Sequence, residues 1–97
     1  MTSTELLDKV DWVRMEEVNV CGLFCIRIQV TPHDTYCPIK AALGGTNSAA
    51  CETAMNHGMT NADAQLIMAA ADDCLDDPDA RALRADMLAR MRKAKAS

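Results

Sequence analysis

Residues 18–30, VNVCGLFCIRIQV, are the densest run of β-branched and aromatic side chains in a sequence of 97 residues, and their reading decides the fold. Phe24, Ile26, Ile28 and Val30 alternate with Cys25, Arg27 and Gln29, the period-2 pattern of a half-buried strand. One strand cannot form a sheet, so the segment implies a hairpin or a strand supplied by a second molecule. Gly22 suits the second position of a two-residue turn, but cysteine is not a favoured residue at the first, and the sequence leaves that turn open.

Outward from this segment the pattern is helical. Thr2 and Glu5 have the spacing of a capping box, and Leu6, Leu7, Val10 and Val13 recur on one face, which predicts a helix from about Ser3 to Met15. Pro38 can open a short helix that ends at Gly44-Gly45. Asn47 or Ser48 can cap a helix running to His57, with Ala50, Cys51, Ala54 and Met55 on its apolar arc and Gly58 as a left-handed stop. Thr60 with Asp63 opens the next, whose stripe is Leu66, Ile67, Ala70 and Cys74. Asp77 before Pro78 opens the last, with Ala80, Leu83, Met87, Leu88 and Met91 inward and Arg90, Arg92, Lys93 and Lys95 toward its C-terminal end. The expected fold is therefore α+β and mostly helical: a small β-hairpin or edge strand over about 18–31, packed on a layer of four to five helices. Residues 1–97 read as one small domain, with the basic end 93–97 frayed.

The formal charge of −4 disfavours nucleic-acid binding, which draws its affinity from Lys and Arg, and points to a partner with a basic surface. The first 20 residues lack a basic start followed by an apolar run, and the longest mostly apolar stretch is too short to span a bilayer, so no membrane role is expected. Five cysteines, an odd number without a secretory signal, suggest reduced thiols in a cytoplasm. One Trp, one Tyr and one Phe against seven Met mean a core of aliphatic and thioether groups.

Cys21, Cys25, His33 and Cys37 offer zinc-type ligands in the pattern C-x3-C-x7-H-x3-C. Residues four apart on a strand lie roughly 13 Å from each other, however, too far for two sulfurs on one ion. Buried structural thiols are the favoured reading, and no metal or other cofactor is expected. Cys37, just before Pro38 and near His33 and Asp34, has the setting of a helix-capped nucleophile, though a chance cluster in a loop explains it as well. Gly44-Gly45-Thr46-Asn47-Ser48 could hold an anion at a helix start, but it lacks the lysine of a phosphate-binding loop. Asp72, Asp73, Asp76, Asp77 and Asp79 form the densest charge cluster, without the spacing of a calcium loop.

Trp12 falls off the stripe of the first expected helix, on the side of Met15, and is expected to be either an exposed anchor or a core residue. No complete catalytic set is present. The function expected is that of a small acidic cytoplasmic protein that binds another protein, an inhibitor, antitoxin-like protein or accessory regulator, through Trp12, Met15, Asp72, Asp73 and Asp76. The alternatives are a zinc- or thiol-dependent protein using Cys21, Cys25, His33 and Cys37, and a homodimeric structural subunit.

Overall fold

A computed structural model describes residues 1–31, 34–73 and 76–96. The order of elements is α1 (Ser3–Leu7), β1 (Glu16–Val20), β2 (Leu23–Thr31), β3 (Asp34–Tyr36), α2 (Pro38–Leu43), a 3-10 turn (Asn47–Ala49), α3 (Ala50–Asn56), α4 (Asn61–Ala71) and α5 (Pro78–Ala96). The fold is α+β and mostly helical, with a small antiparallel sheet of order β1-β2-β3 against the helices. The expected hairpin is present: Cys21 (φ 52) and Gly22 (φ 87) form its two-residue turn. Positive φ at both positions is the primed geometry that matches strand twist, normally met by Asn-Gly, and here the Asn19 side chain supports it by accepting from the Gly22 N–H at 3.0 Å.

The first helix is shorter than its periodicity predicts. It stops at Leu7 rather than Met15, because the Lys9 and Val10 N–H groups turn back to Leu6 and Leu7 in three-residue steps. Trp12 then folds under the helix end, and its indole N–H donates 2.8 Å to the Leu7 carbonyl, a terminal acceptor that otherwise has only the long 3.4 Å bond from the Val10 N–H. The wheel drawn through Met15 is therefore wrong beyond Val10. Val13, expected inside, is exposed, while Trp12 (8 % exposed) and Met15 (0 %) join Leu6 and Leu7 in the core.

β2 is not half-buried as expected. Ile26 and Ile28 are buried on one face and Cys25 on the other, whereas Phe24, at the turn end of the stripe, is 49 % exposed. The side chains of Gln29 and Val30 lie outside the described residues. Thr46, rather than Asn47 or Ser48, caps the turn before α3, and its hydroxyl accepts from the Ala49 N–H at 3.2 Å. A side chain at Gly45 (φ 100) would strain the backbone and force Thr53 Oγ1 to move. On α3, Ala50 and Ala54 are buried and Cys51 partly so, but Met55 is exposed.

The pair α4 and α5 follows the capping pattern closely. Thr60 accepts from the Asp63 N–H at 3.1 Å, and Asp77 accepts from the Asp79 N–H at 2.9 Å. Ala64, Ile67 and Ala70 of α4 share one buried core with Ala80, Met87 and Met91 of α5. Leu66, Leu83 and Leu88 sit at the margin of that core, and Cys74 lies outside the described residues. No helix of the described chain is long and apolar enough to cross a membrane.

Candidate functional site

The feature that organises the polar interior is Arg84, a residue that no sequence motif marks. It stands on the buried face of α5 between Ala80 and Met87, and only 7 % of its side chain is exposed. Nη1 donates to the carbonyls of Ala70 (2.8 Å) and Ala71 (3.3 Å), which end α4. Nη2 reaches Glu17 of β1 at 2.7 Å and the carbonyl of Phe24 in β2. Nε faces Asp73 at 3.4 Å. One guanidinium thus ties the hairpin to both long helices, using the rigid fork of donors that lysine lacks. The helical spacing Ala80, Arg84, Met87, Met91 was the available signal that position 84 points inward.

This network alters the reading of the acidic cluster. Asp72 is bound to Arg27 at 2.8 Å, and Asp73, held at φ 61, faces Arg84. Both were expected to form a solvent-facing contact surface; instead they turn inward to neutralise cations that would otherwise be buried unpaired. Asp76, Asp77 and Asp79 stay exposed. Of the two expected hydrophobic contacts, Trp12 and Met15 are both buried, which removes the exposure on which their assignment rested.

Cys21 is exposed at the hairpin tip and Cys25 and Cys37 are buried. His33 lies outside the described residues. Among those described, no three His, Cys, Asp or Glu side chains converge as metal ligands would. Cys37 does precede α2 as expected, but burial pushes its thiol above the ordinary 9.0, outweighing the Lys40 and Ile39 N–H groups and the Arg27 guanidinium, which pull it down. That is the reverse of an activated nucleophile.

Several grooves flank α5; one, of about 620 Å3, is lined by Trp12, Asp86, Ala89, Arg90, Lys93 and Ala94, and two others bear on charge. One, of about 490 Å3, runs between α4 and the start of α5; Leu66 and Ala69 line it together with Asp63, Asp77 and Asp79. The other, of about 550 Å3, lies between Glu17 of β1 and the C-terminal half of α5, with Leu88, Met91, Arg92 and Lys95 on its walls. No family model, curated protein or solved structure matches the chain.

Proposed function

We propose that this chain acts in the cytoplasm by binding another protein, as an inhibitor, antitoxin-like protein or accessory regulator would, and that the partner presents a basic segment. The observation that carries the reading is the groove between α4 and α5. Its apolar wall, Leu66 and Ala69, lies among three carboxylates, Asp63, Asp77 and Asp79. An apolar side chain flanked by Arg or Lys fits such a surface, with the apolar contact supplying affinity and the charges supplying orientation and encounter rate. The net charge of −4 acts in the same direction at longer range. In this reading the contact residues are Asp63, Leu66, Asp77 and Asp79 with exposed Asp76 nearby in sequence, and Trp12, Met15, Asp72 and Asp73 serve the fold.

The test is capture of binding proteins from the native host by the tagged chain, set beside the double variant Asp63→Asn with Asp79→Asn. Each of these side chains leaves its helix cap, made by Thr60 or Asp77, in place. A specific partner should be retained by the wild type, and its association with the variant should be about tenfold slower or more at low salt, with the difference shrinking at high salt. Identical retention by both proteins would refute the groove as the contact surface.

A further inference from the structure

The outer edge of β1 points to a second use of the fold. We infer that β1 is the seam of a homodimer, pairing antiparallel with β1 of a second copy about a two-fold axis at Val18. The parity of the hairpin decides which backbone groups are free. Val20 and Leu23 close a two-residue turn and so form a hydrogen-bonded pair; alternation makes Val18/Cys25 and Glu16/Arg27 hydrogen-bonded too, and leaves Asn19/Phe24 and Glu17/Ile26 not. Glu17 and Asn19 therefore aim their N–H and C=O groups away from β2. The same parity sends the Phe24 carbonyl to the opposite side of β2, and there Arg84 takes it, an independent check on the assignment. Among the described residues nothing hydrogen-bonds to the outward backbone groups of Glu17 and Asn19.

The two edges of the sheet are treated differently. β3 has three residues and an irregular register, and Arg84 occupies β2 where β3 no longer covers it. β1 has five residues in unbroken register and carries no proline, bulge or lysine, three of the devices that protect an edge, and its charges are Glu16 and Glu17 alone. Its inward charge, Glu17, is neutralised by Arg84. An edge left open in this way is a template for another strand.

Charge selects the occupant and its register. Setting Glu17 opposite the partner's Glu17 would place like charges face to face, which destabilises a pair. Setting Asn19 opposite the partner's Asn19 would carry Glu17 to the partner's Cys21, where the chain has left the extended conformation. The remaining register puts Glu17 opposite the partner's Asn19, each such pair exchanging both backbone hydrogen bonds, and Val18 opposite the partner's Val18. No like charges oppose each other in it. A short strand pair buries less than the roughly 1,000 Å2 that a stable interface requires. The groove between Glu17 and α5 adjoins the seam and offers it further surface, with Leu88 and Met91 as apolar walls and Arg92 and Lys95 as cations. A two-fold axis normal to the sheet keeps both α5 helices on one face, so the partner's Glu17, of which Arg84 holds only one oxygen and which is 37 % exposed, arrives on the side of those cations. This interface is separate from the groove between α4 and α5, and the two proposals stand or fall independently.

Sedimentation equilibrium of the full chain should give twice 10.5 kDa. Val18→Lys sets two cations opposite each other only in the dimer, so it should yield the single-chain mass with an unchanged circular dichroism spectrum. In a Cys21→Ser background, Val18→Cys should cross-link to itself under mild oxidation, because directly opposed Cβ atoms lie about 4.5–5.5 Å apart. Glu16→Cys in the same background should not, since its position falls opposite the partner's Val20. A single-chain mass for the wild type over a wide dilution range, a Val18→Lys variant that stays dimeric, or cross-linking of Glu16→Cys as fast as Val18→Cys would each overturn the proposal.

Discussion

Replacing Arg84 with methionine isolates the guanidinium, because methionine keeps most of the stem's volume and removes every donor. The carbonyls of Ala70, Ala71 and Phe24 and the carboxylates of Glu17 and Asp73 would lose their shared partner. Removing one member of a buried ion pair costs about 3–5 kcal/mol, and each stranded buried acceptor costs about 1–3 kcal/mol. The terms do not simply add, since the side chains of Glu17 and Asp73 are 37 % and 23 % exposed and regain water. A loss of about 4 kcal/mol is the expectation, against a total stability of about 5–15 kcal/mol for a chain of this size. With a urea slope of about 1.5 kcal/mol per molar, the midpoint should fall by about 2–3 M. Arg84→Lys keeps one charge without the fork and should lose roughly half as much. Urea titrations followed by circular dichroism, at one fixed protein concentration so that any self-association is held constant, measure both. A midpoint for Arg84→Met corresponding to a loss of less than about 1 kcal/mol, at unchanged slope, would show that the guanidinium does not knot the hairpin to the helices.

Trp12 should emit at short wavelength and resist quenching. Trp12→Ala should cost about 3–5 kcal/mol in the same urea assay, and Trp12→Phe, which retains an aromatic ring but not the bond to Leu7, about 1–2 kcal/mol. The pH dependence follows from Cys37. Its thiol is held protonated in the fold above the ordinary 9.0, so the unfolded chain gives up that proton first, and the thiol's contribution is intact below 9.0 and lost as pH rises through the raised folded value. Urea midpoints on either side of that value should decline more steeply with pH for the wild type than for Cys37→Ala.

The parts of the fold legible in the sequence were those with local chemical punctuation. Thr60 and Asp77-Pro78 bound α4 and α5, Pro38 and Gly44 bound α2, and each does so through a side chain or backbone property that acts within a few residues. The end of α1 has no such mark. Neither glycine nor proline follows Leu7, and only the tertiary position of Trp12, whose indole gives the Leu7 carbonyl a shorter bond than the Val10 N–H does, shows how the helix end is satisfied. The Cys21-Gly22 turn was undecided for the opposite reason, a strong geometric demand met by an unusual residue with Asn19 in support. The pairing of Asp72 and Asp73 is not legible in the sequence, which shows the acids together but not the cations, Arg27 and Arg84, that arrive from other elements.

Those internal pairings decide where charge is left for contacts. Arg27, Arg84 and Arg90 take up Asp72, Glu17, Asp73, Asp8 and Asp86, so exposed Asp76, Asp77 and Asp79 at one end and Arg92 and Lys95 at the other become the two poles of the outside of α5. A helix of 19 residues is about 28 Å long, well beyond the Debye length of about 8 Å at physiological salt, so the poles act separately on whatever approaches them. On the two proposed readings, the acidic pole takes a basic segment of another protein and the basic pole takes the acidic strand of a second copy. A dimer joined at β1 would then carry a pair of acidic grooves in one particle, and a partner presenting two basic segments would be held by avidity without any added contact. The fold gains that second grip through its open strand edge, the one element of the sheet that the molecule does not close for itself.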